Sequence, residues 1–530
     1  MKLKFSKYFL VTLLIVSSCA ELEEKPYGFL SSENYYTTPE NVRGGLFYAY
    51  QSLYRPDFFQ GWWRFNELPA RTTMVKANDH SKPKFLPYMS WRVQSNSADN
   101  NDFFQACYKG IFRANTVLDN VNTVEFKDEN MKNQYMGEAK FLRAWFYFSL
   151  VKIYGEVPVY TNAQNPGAAY NTPVSSIKDI YNLIIEDLEY AETNIPEFRI
   201  AGRADKTTAQ ALLVKVYMHM ASSKEFGSPR YEWVSSYEDM YENAVSYAEK
   251  VSSSGSYGLD TSVYETFPDN LNLSREKLFV FANDYEGDEV GHTQISFIMA
   301  PYVGFTDDYY ARVPGSNTIR AYKPGYAVFW YNKMYYDTHE SGDLRLDLYA
   351  DEIYLDEAGT EVSDGNSFIG GFKTYWNMKY AAERGSEFGI GTATMHFLRM
   401  SDIVLLHAEA LGRLNRVDEG IPIVNQIRTR AGLTPLSSMS KEDFDKAVWQ
   451  ERLWELQGEG HIMTDLRRRR MVASFMAEDD LKNSQLSVEN RYAVPNRGGT
   501  LTYQYFYPLP QREIDLNEAI EPDLEKITLQ

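Results

Sequence analysis

An unusually aromatic stretch, FFQGWWRFNEL, occupies residues 58–68. It follows Pro56, contains Gly61 and places Trp62 beside Trp63, so the sequence predicts a loop rather than the middle of a helix. Aromatic rings in a loop either fill the core or face outward. An outward-facing ring with polar side chains around it suits an amphipathic ligand such as a sugar. Because adjacent side chains point in different directions, we expect one tryptophan to fix the loop to its scaffold and the other to lie near a ligand.

Groups that could perform catalysis are scattered along the chain. The sequence lacks the motifs of serine hydrolases, phosphate-binding loops and helical zinc proteases. None of the seven histidines forms a pair at metal-ligand spacing, and Cys107 lies in an apolar helical context typical of a buried, inert thiol. Asp307 and Asp308 are the best candidates for a glycosidase pair, although adjacent acids in a loop are usually solvated. We therefore predict a protein that is not an enzyme and uses no cofactor or metal.

The first 18 residues have the features of an export signal. Three lysines precede the apolar run YFLVTLLIV, which is too short to span a bilayer as a helix. Small residues then lead to Cys19 in a pattern that resembles the bacterial lipobox, and this resemblance implies that Cys19 becomes a lipidated N-terminus. Residues 19–40 are then predicted to form a tether. The alternative is an exported soluble protein with an incidental cysteine.

The charge of the chain argues against a nucleic-acid partner. The formal net charge is −18, and the only basic run is RRRR at residues 467–470, which we interpret as a helix end with salt bridges. After removal of the signal, Cys107 is the only cysteine besides Cys19, so no disulfide is expected within the mature chain. Stability must therefore come from a packed core, for which the chain is long enough.

Apolar residues recur at three- and four-residue spacing through much of the chain, which indicates amphipathic helices. Antiparallel-looking pairs of these helices predict a mainly α fold, with tetratricopeptide-like helical pairs as a scaffold, long irregular loops and a few short strands such as the one beginning KLFVF at Lys277. We predict one domain over residues 41–530. Its helical scaffold covers about 41–55, 101–255 and 395–470, and its loop-rich, ligand-binding part covers about 56–100 and 256–394.

Several segments, in order, resemble the SusD/RagB family. They are EAKFLRAWFYFSLVKIYGEVP from Glu138, GRADKTTAQALLVKVYMH from Gly202, LRMSDIVLLHAEAL, IVNQIRTRAGL, WQERLWELQGEGHIMTDLRR from Trp449 and FYPLPQREIDLN from Phe506. The resemblance covers roughly half of the chain and agrees with the lipobox. It implies a surface-exposed lipoprotein of the outer membrane that binds an oligosaccharide or polysaccharide and delivers it to a SusC-like TonB-dependent transporter.

The resemblance also implies that the sugar site is built from loops. In such a site, Trp and Tyr rings supply flat apolar area while Asn, Asp and Arg bind the hydroxyls. Trp91, in PYMSWRVQSNSADN, is the first candidate. The complete set of candidates is Trp62, Trp63, Trp91, Arg92, Asn96, Asp99, Tyr309, Tyr310 and Arg312.

The charged residues of the family-like motifs are interpreted as scaffold. Arg399, Asp402, Glu451 and Arg452 are predicted to form ion pairs that fix the helices, so their loss should lower stability rather than ligand affinity. One alternative function remains open, because the RagB name points to the same fold handling a peptide or another nutrient instead of a glycan.

Overall fold

The structure is a computed structural model that describes residues 35–75, 85–89, 91, 93–163, 171–267, 274–282, 308–323, 329–350, 352–354, 356–360, 376–381, 394–485, 503–520 and 528–529. The signal and Cys19 lie outside these ranges. The described part is mostly helical with a few short strands, which confirms the predicted fold class. Its α-helices are α1 Pro39–Tyr50, α2 Pro56–Glu67, α3 Leu86–Met89, α4 Ala98–Asn120, α5 Glu129–Tyr154, α6 Ile177–Asn194, α7 Lys206–Glu225, α8 Tyr237–Ser252, α9 Lys333–Tyr336, α10 Met400–Arg413, α11 Val417–Arg430, α12 Lys441–Leu456, α13 Ile462–Arg468, α14 Val472–Gln485 and α15 Gln511–Leu516.

The long helices begin and end where local chemistry favours it. The side chains of Asp128, Ser176, Asp205 and Ser236 each accept a hydrogen bond from a backbone N–H in the first turn of α5, α6, α7 and α8. Such a cap contributes about 1 kcal/mol to helix stability. At the other end of α5, Gly155 adopts φ 76°, which a residue with a Cβ rarely does.

Successive helices pack side by side to form the scaffold. The packing runs from α4 to α5, α6, α7 and α8 in turn, and both α7 and α8 contact α10. Helix α10 in turn packs against α11 and α12, while α1 and α2 lie against α4. Small residues at the crossings let the helices approach, since a Cβ at Gly110 of α4 would lie 2.2 Å from the Phe146 ring of α5. No helix in the described ranges combines the length and apolarity needed to cross a bilayer.

The strands are short and pair two by two, all antiparallel. They are β1 Thr73–Val75, β2 Val157–Pro158, β3 Val174–Ser175, β4 Lys277–Phe281, β5 Tyr309–Arg312, β6 Ile319–Tyr322, β7 Phe329–Tyr331, β8 Tyr349–Ala350, β9 Trp376–Asn377, β10 Met395–Arg399, β11 Tyr503–Gln504 and β12 Thr528–Leu529. The pairs are β1–β7, β2–β3, β4–β10, β5–β6, β8–β9 and β11–β12. Strands β4 and β10 are buried throughout, and β4 contains the KLFVF strand predicted from the sequence.

The prediction of a loop at the first aromatic stretch is wrong. Residues 56–67 form helix α2, in which Pro56 occupies the first turn, where a missing N–H costs nothing. Gly61 does not break the helix, because it is the point of contact with α4. A Cβ at Gly61 would lie 2.6 Å from the Phe103 ring, so only glycine allows this approach.

The predicted ion pairs are confirmed, and they are buried between the last helices. Arg452 bonds to Asp402 at 2.9 Å and to Asp465 at 2.7 Å, and Glu451 accepts from Arg345 and Arg428. Arg399 contacts three carboxylates from two segments of the chain. The basic run also behaves as predicted, since α13 ends within it and Arg468 bonds to Glu409 at 2.6 Å. Cys107 is buried in α4, where desolvation raises the pKa of its thiol.

Candidate functional site

The three candidate tryptophans near the N-terminus all lie in the core. Trp62 is 3% exposed and packs its edge against the Phe397 ring at 5.2 Å. Trp63 is fully buried and donates from its indole N–H to the Gly458 carbonyl at 2.9 Å. The two rings contact different partners, as expected, but all of these partners lie inside the protein. The expectation that one of them faces a ligand is therefore not met by this packing.

Trp91, the first candidate, is also a packing residue. It is 2% exposed, and its indole N–H donates to the Pro69 carbonyl at 3.2 Å. The guanidinium of Arg467 lies 5.5 Å from the centre of its ring. Its partners Pro69 and Arg467 lie 22 and 376 residues away along the chain, so the sequence around Trp91 could not reveal its burial. An exposed aromatic platform at this position is ruled out by the geometry.

We expect Trp91→Ala to destabilise the protein strongly. The substitution removes a buried ring and leaves the Pro69 carbonyl without its donor, and large-to-small core changes of this kind cost about 3–5 kcal/mol. Thermal unfolding of the variant should show a clearly lower melting temperature, while Trp91→Phe, which keeps most of the apolar volume, should lose less. An unchanged melting temperature for Trp91→Ala would contradict the buried placement.

The polar candidates of the first loop-rich segment, residues 56–100, do not form one site. Asn96 is exposed in the turn before α4, and Arg92 lies outside the described residues. Asp99, in the first turn of α4, has an oxygen 3.2 Å from an Arg64 guanidinium nitrogen of α2. Asp99 therefore joins two scaffold helices. The segment does not place an exposed ring beside these polar groups within the residues that the structure describes.

The second group of candidates lies together on the β5–β6 hairpin. Tyr309 is buried and stacks on Tyr322 of the paired strand at 5.5 Å, so it anchors the hairpin. Because side chains alternate along a strand, Tyr310 and Arg312 lie on the opposite face. Tyr310 is half-buried, and the Arg312 side chain is 52% exposed. This is the one place in the described structure where the predicted candidates meet solvent as an aromatic and polar pair.

A third segment completes this surface. The backbone of Tyr354 pairs with that of Tyr310 through two hydrogen bonds. The Tyr354 nitrogen lies 2.8 Å from the Tyr310 oxygen, and the Tyr310 nitrogen lies 3.2 Å from the Tyr354 oxygen. Arg312 lies 5.8 Å from the centre of the Tyr354 ring, and its Nε is 4.0 Å from Glu352 Oε2. We call Tyr310, Arg312, Glu352 and Tyr354 the hairpin face. Glu352 and Tyr354 could not be recognised from the sequence, because only a long-range backbone bridge brings them to the hairpin.

A hydrogen bond within the hairpin face keeps the Tyr354 phenol protonated. The Tyr354 hydroxyl donates to Glu352, and burial together with this bond raises the pKa of Tyr354, so the phenol stays protonated. The face therefore offers the half-buried Tyr310 ring, a guanidinium donor and a carboxylate acceptor side by side, whereas Tyr354 is only 5% exposed and supports them from within the packing. Rings that cover apolar C–H surface, next to groups that bind hydroxyls, match the two-sided chemistry of a sugar.

The hairpin is held by a contact at its tip. Gly315 adopts φ 72°, and a Cβ there would lie 2.3 Å from the Tyr264 ring. The Tyr264 hydroxyl donates to Asp347 at 2.8 Å, and its ring packs on a cluster that includes Leu433 and Trp454. Burial, followed by the bond to Asp347, raises the pKa of Tyr264. The tip of the hairpin is thus fixed to the region of α11 and α12.

Gly315→Ala should loosen the hairpin. The new methyl group must displace Tyr264 and also occupy a left-handed backbone conformation, and overpacking of this kind costs about 1–3 kcal/mol. Hydrogen exchange of the amides in residues 309–322 should become faster. Gly227→Ala is the matched control, because Gly227 has φ 66° but open space at its Cβ position. Equal exchange in the hairpin of both variants and the wild type would contradict the tip contact.

No group of three or more His, Cys, Asp or Glu side chains within the described ranges is arranged to hold a metal ion.

Comparison with known proteins agrees with the fold. Residues 322–525 match the family described as "SusD family", and residues 64–218 match the family described as "Starch-binding associating with outer membrane". Together these matches cover more than half of the chain, and the chain belongs to the SusD family. The resemblance inferred from the sequence motifs is thereby confirmed.

Individual relatives span nearly the whole chain at low identity. SusD-like protein P38 of Formosa agariphila is 25% identical over 510 residues, which cover 88% of this chain and 91% of that protein. A SusD homolog from Bacteroides thetaiotaomicron superposes with a TM-score of 0.75 at 22% identity, covering 92% of this chain and 97% of that one. A laminarin-binding SusD-like protein gives a TM-score of 0.69 at 18% identity, with coverage of 92% and 99%. At these identities the structural likeness concerns the fold.

Proposed function

We propose that this protein is a non-catalytic glycan-binding protein of the bacterial outer membrane that holds an oligosaccharide or polysaccharide on the hairpin face. Membership of the SusD family carries the proposal. One structural neighbour is described as laminarin binding, and one matching family as starch binding, which supports a glycan rather than another nutrient. The half-buried Tyr310 ring beside the exposed side chains of Arg312 and Glu352 is the feature of this chain that suits such a ligand.

The shape of the hairpin face favours binding over chemistry. It is formed by a hairpin and a segment joined to it by an isolated β-bridge, with the side chains of Arg312 and Glu352 more than half exposed. Its carboxylate, Glu352, is 58% exposed and is already engaged by the Tyr354 hydroxyl and by Arg312. A glycosidase instead needs two carboxyl groups set about 5–10 Å apart across a bound sugar, one of them held protonated. We therefore expect the bound glycan to leave the protein unchanged.

Delivery to a transporter is part of the same proposal. Cys19 would carry the lipid that anchors the protein, and a SusC-like TonB-dependent transporter would receive the glycan. The lipobox-like sequence and the family description that mentions the outer membrane support this arrangement. A pull-down of the lipidated protein from bacterial outer membranes would test it, and recovery without any outer-membrane transporter would contradict it.

A polysaccharide panel tests the glycan proposal directly. The purified protein should be retarded in affinity gels that contain at least one polysaccharide, and the chain length of that polysaccharide should be unchanged after long incubation. Binding to a peptide library with no binding to any polysaccharide would replace the proposal by the peptide-handling alternative. Shortening of the polysaccharide would show that the protein is an enzyme.

A further inference from the structure

We propose that the glycan held on the hairpin face is an uncharged polysaccharide, and that sulfated and uronate-rich polysaccharides are rejected. This inference rests on the proposed function and specifies the class of ligand. It follows from three features of the loop-rich segment at residues 256–394. Carboxylates lie beside cations of the hairpin, other cations of the segment are buried, and the segment as a whole has a negative net charge.

Two of the three cations at the hairpin, Arg312 and Lys323, have carboxylates beside them. Arg312 has Glu352 at 4.0 Å, and Lys323, at the end of the hairpin, has Asp308 at 3.0 Å. A sulfate or carboxylate on a sugar would have to compete with these built-in anions for the same donors. Proteins that bind polyanions do so with several basic groups, which displace the cations condensed on the polymer. Arg312 and Lys323 therefore add little net attraction for an anion.

Other basic residues of the same segment are turned inward. Arg345 is 2% exposed and bonds to Asp343, Glu451 and Glu455. Lys379 is likewise 2% exposed and bonds to Glu459 and to two backbone carbonyls. These groups stabilise the joint between the segment and the helices. They are not placed to contact a polymer that lies on the surface.

The charge of the whole loop-rich segment has the wrong sign for a polyanion. Residues 256–394 contain 22 Asp and Glu but only 10 Lys and Arg, which leaves a net charge of −12 out of −18 for the chain. At physiological ionic strength, charges act over about 8 Å, so this net negative charge opposes the approach of a polyanion. It does not oppose a neutral polymer, which hydroxyl-directed bonds and contact with the Tyr310 ring would hold.

The test compares each polymer with a charged form of the same backbone. Laminarin, dextran and soluble starch are each paired with their sulfated derivatives, and alginate and chitosan are added as a uronate polymer and a cationic polymer. Dissociation constants for the full-length protein are measured by calorimetry at 50 mM and 500 mM NaCl. We expect at least one neutral polymer to bind with an affinity that hardly changes with salt, and its sulfated form to bind at least tenfold more weakly at 50 mM NaCl.

Three outcomes would overturn the inference, and they are distinguishable. Equal or tighter binding of a sulfated polymer or alginate, with affinity that falls as salt rises, refutes the charge argument while leaving glycan binding intact. Binding only to the cationic polymer chitosan shows that the acidic segment selects positive ligands. Binding to no polysaccharide of any charge refutes the proposed function itself.

Discussion

Replacing Arg399 with methionine is expected to prevent the protein from folding stably. Arg399 is completely buried at the end of β10, and its guanidinium bonds to Glu276 at 3.0 Å, Glu455 at 2.7 Å and Glu459 at 2.5 Å. Removing one partner of a buried ion pair costs about 3–5 kcal/mol, because the other charge stays buried without compensation. Here three carboxylates are affected, and a typical protein is stable by only about 5–15 kcal/mol.

The ionisation of the buried carboxylates around Arg399 depends on the neighbouring arginines. Burial alone would raise the pKa of Glu455, but the guanidinium groups of Arg430 and Arg399 hold that pKa well below its ordinary value. Arg430 also bonds to Glu276, so the same carboxylates are shared between two arginines. This sharing joins β4, β10, α11 and α12 in one network. Loss of Arg399 should therefore loosen the joint between the helices and the loop-rich segment.

Thermal unfolding and soluble yield measure this effect. Arg399→Met should give little soluble protein, or a melting temperature far below that of the wild type. Arg416→Ala is the matched control, because Arg416 pairs with Glu419 and Glu242 on the surface, where ion pairs contribute little net stability. Equal melting temperatures for Arg399→Met and Arg416→Ala would show that the buried ion pairs of Arg399 do not stabilise the contact between the helices and the loop-rich segment.

Tyr310→Ala should remove most glycan binding and leave the fold intact. The ring is half-buried on the hairpin face beside Tyr354 and Arg312, where it would cover the apolar side of a sugar. Aromatic side chains at the centre of a binding surface often contribute 2 kcal/mol or more. We therefore expect affinity to fall at least tenfold, which corresponds to about 1.4 kcal/mol. The paired backbone of β5 is retained, so the melting temperature should change little.

An exposed tyrosine outside the loop-rich segment provides the control. Tyr48 of α1 is 55% exposed and stacks under Arg113, a similar aromatic and cationic arrangement on the helical scaffold. Tyr48→Ala should leave the dissociation constant for the polysaccharide unchanged. Equal losses of affinity in both variants would indicate a general surface effect. Full affinity in Tyr310→Ala would move the site away from the hairpin.

The sequence predicts the scaffold well because helices depend on local patterns. The apolar spacing in α5 and α10, together with caps and terminal glycines, is readable over a few turns. The loop prediction for the aromatic stretch is wrong because Pro56 and Gly61, which are common in loops, also occur at a helix start and at a close helix contact. In the structure Pro56 begins a helix and Gly61 is a point of contact with Phe103.

Candidate ligand contacts are harder to predict, because exposure depends on partners far along the chain. Trp63 and Trp91 are buried by residues from the C-terminal third of the chain, such as Gly458 and Arg467. Tyr310 and Arg312 could be nominated from their types alone. Their neighbours Glu352 and Tyr354 are 40 or more residues away, and only strand pairing brings them together. Sequence chemistry thus suggested what kind of surface to expect, but not where it would be.

The most direct test of the account is the structure of the protein with an oligosaccharide of the polymer that it binds. We predict that a sugar ring lies against Tyr310, that its hydroxyls bond to Arg312 and Glu352, and that Trp62, Trp63, Trp91 and Tyr354 remain buried. A sugar bound elsewhere on the molecule, with the hairpin face free, would contradict it.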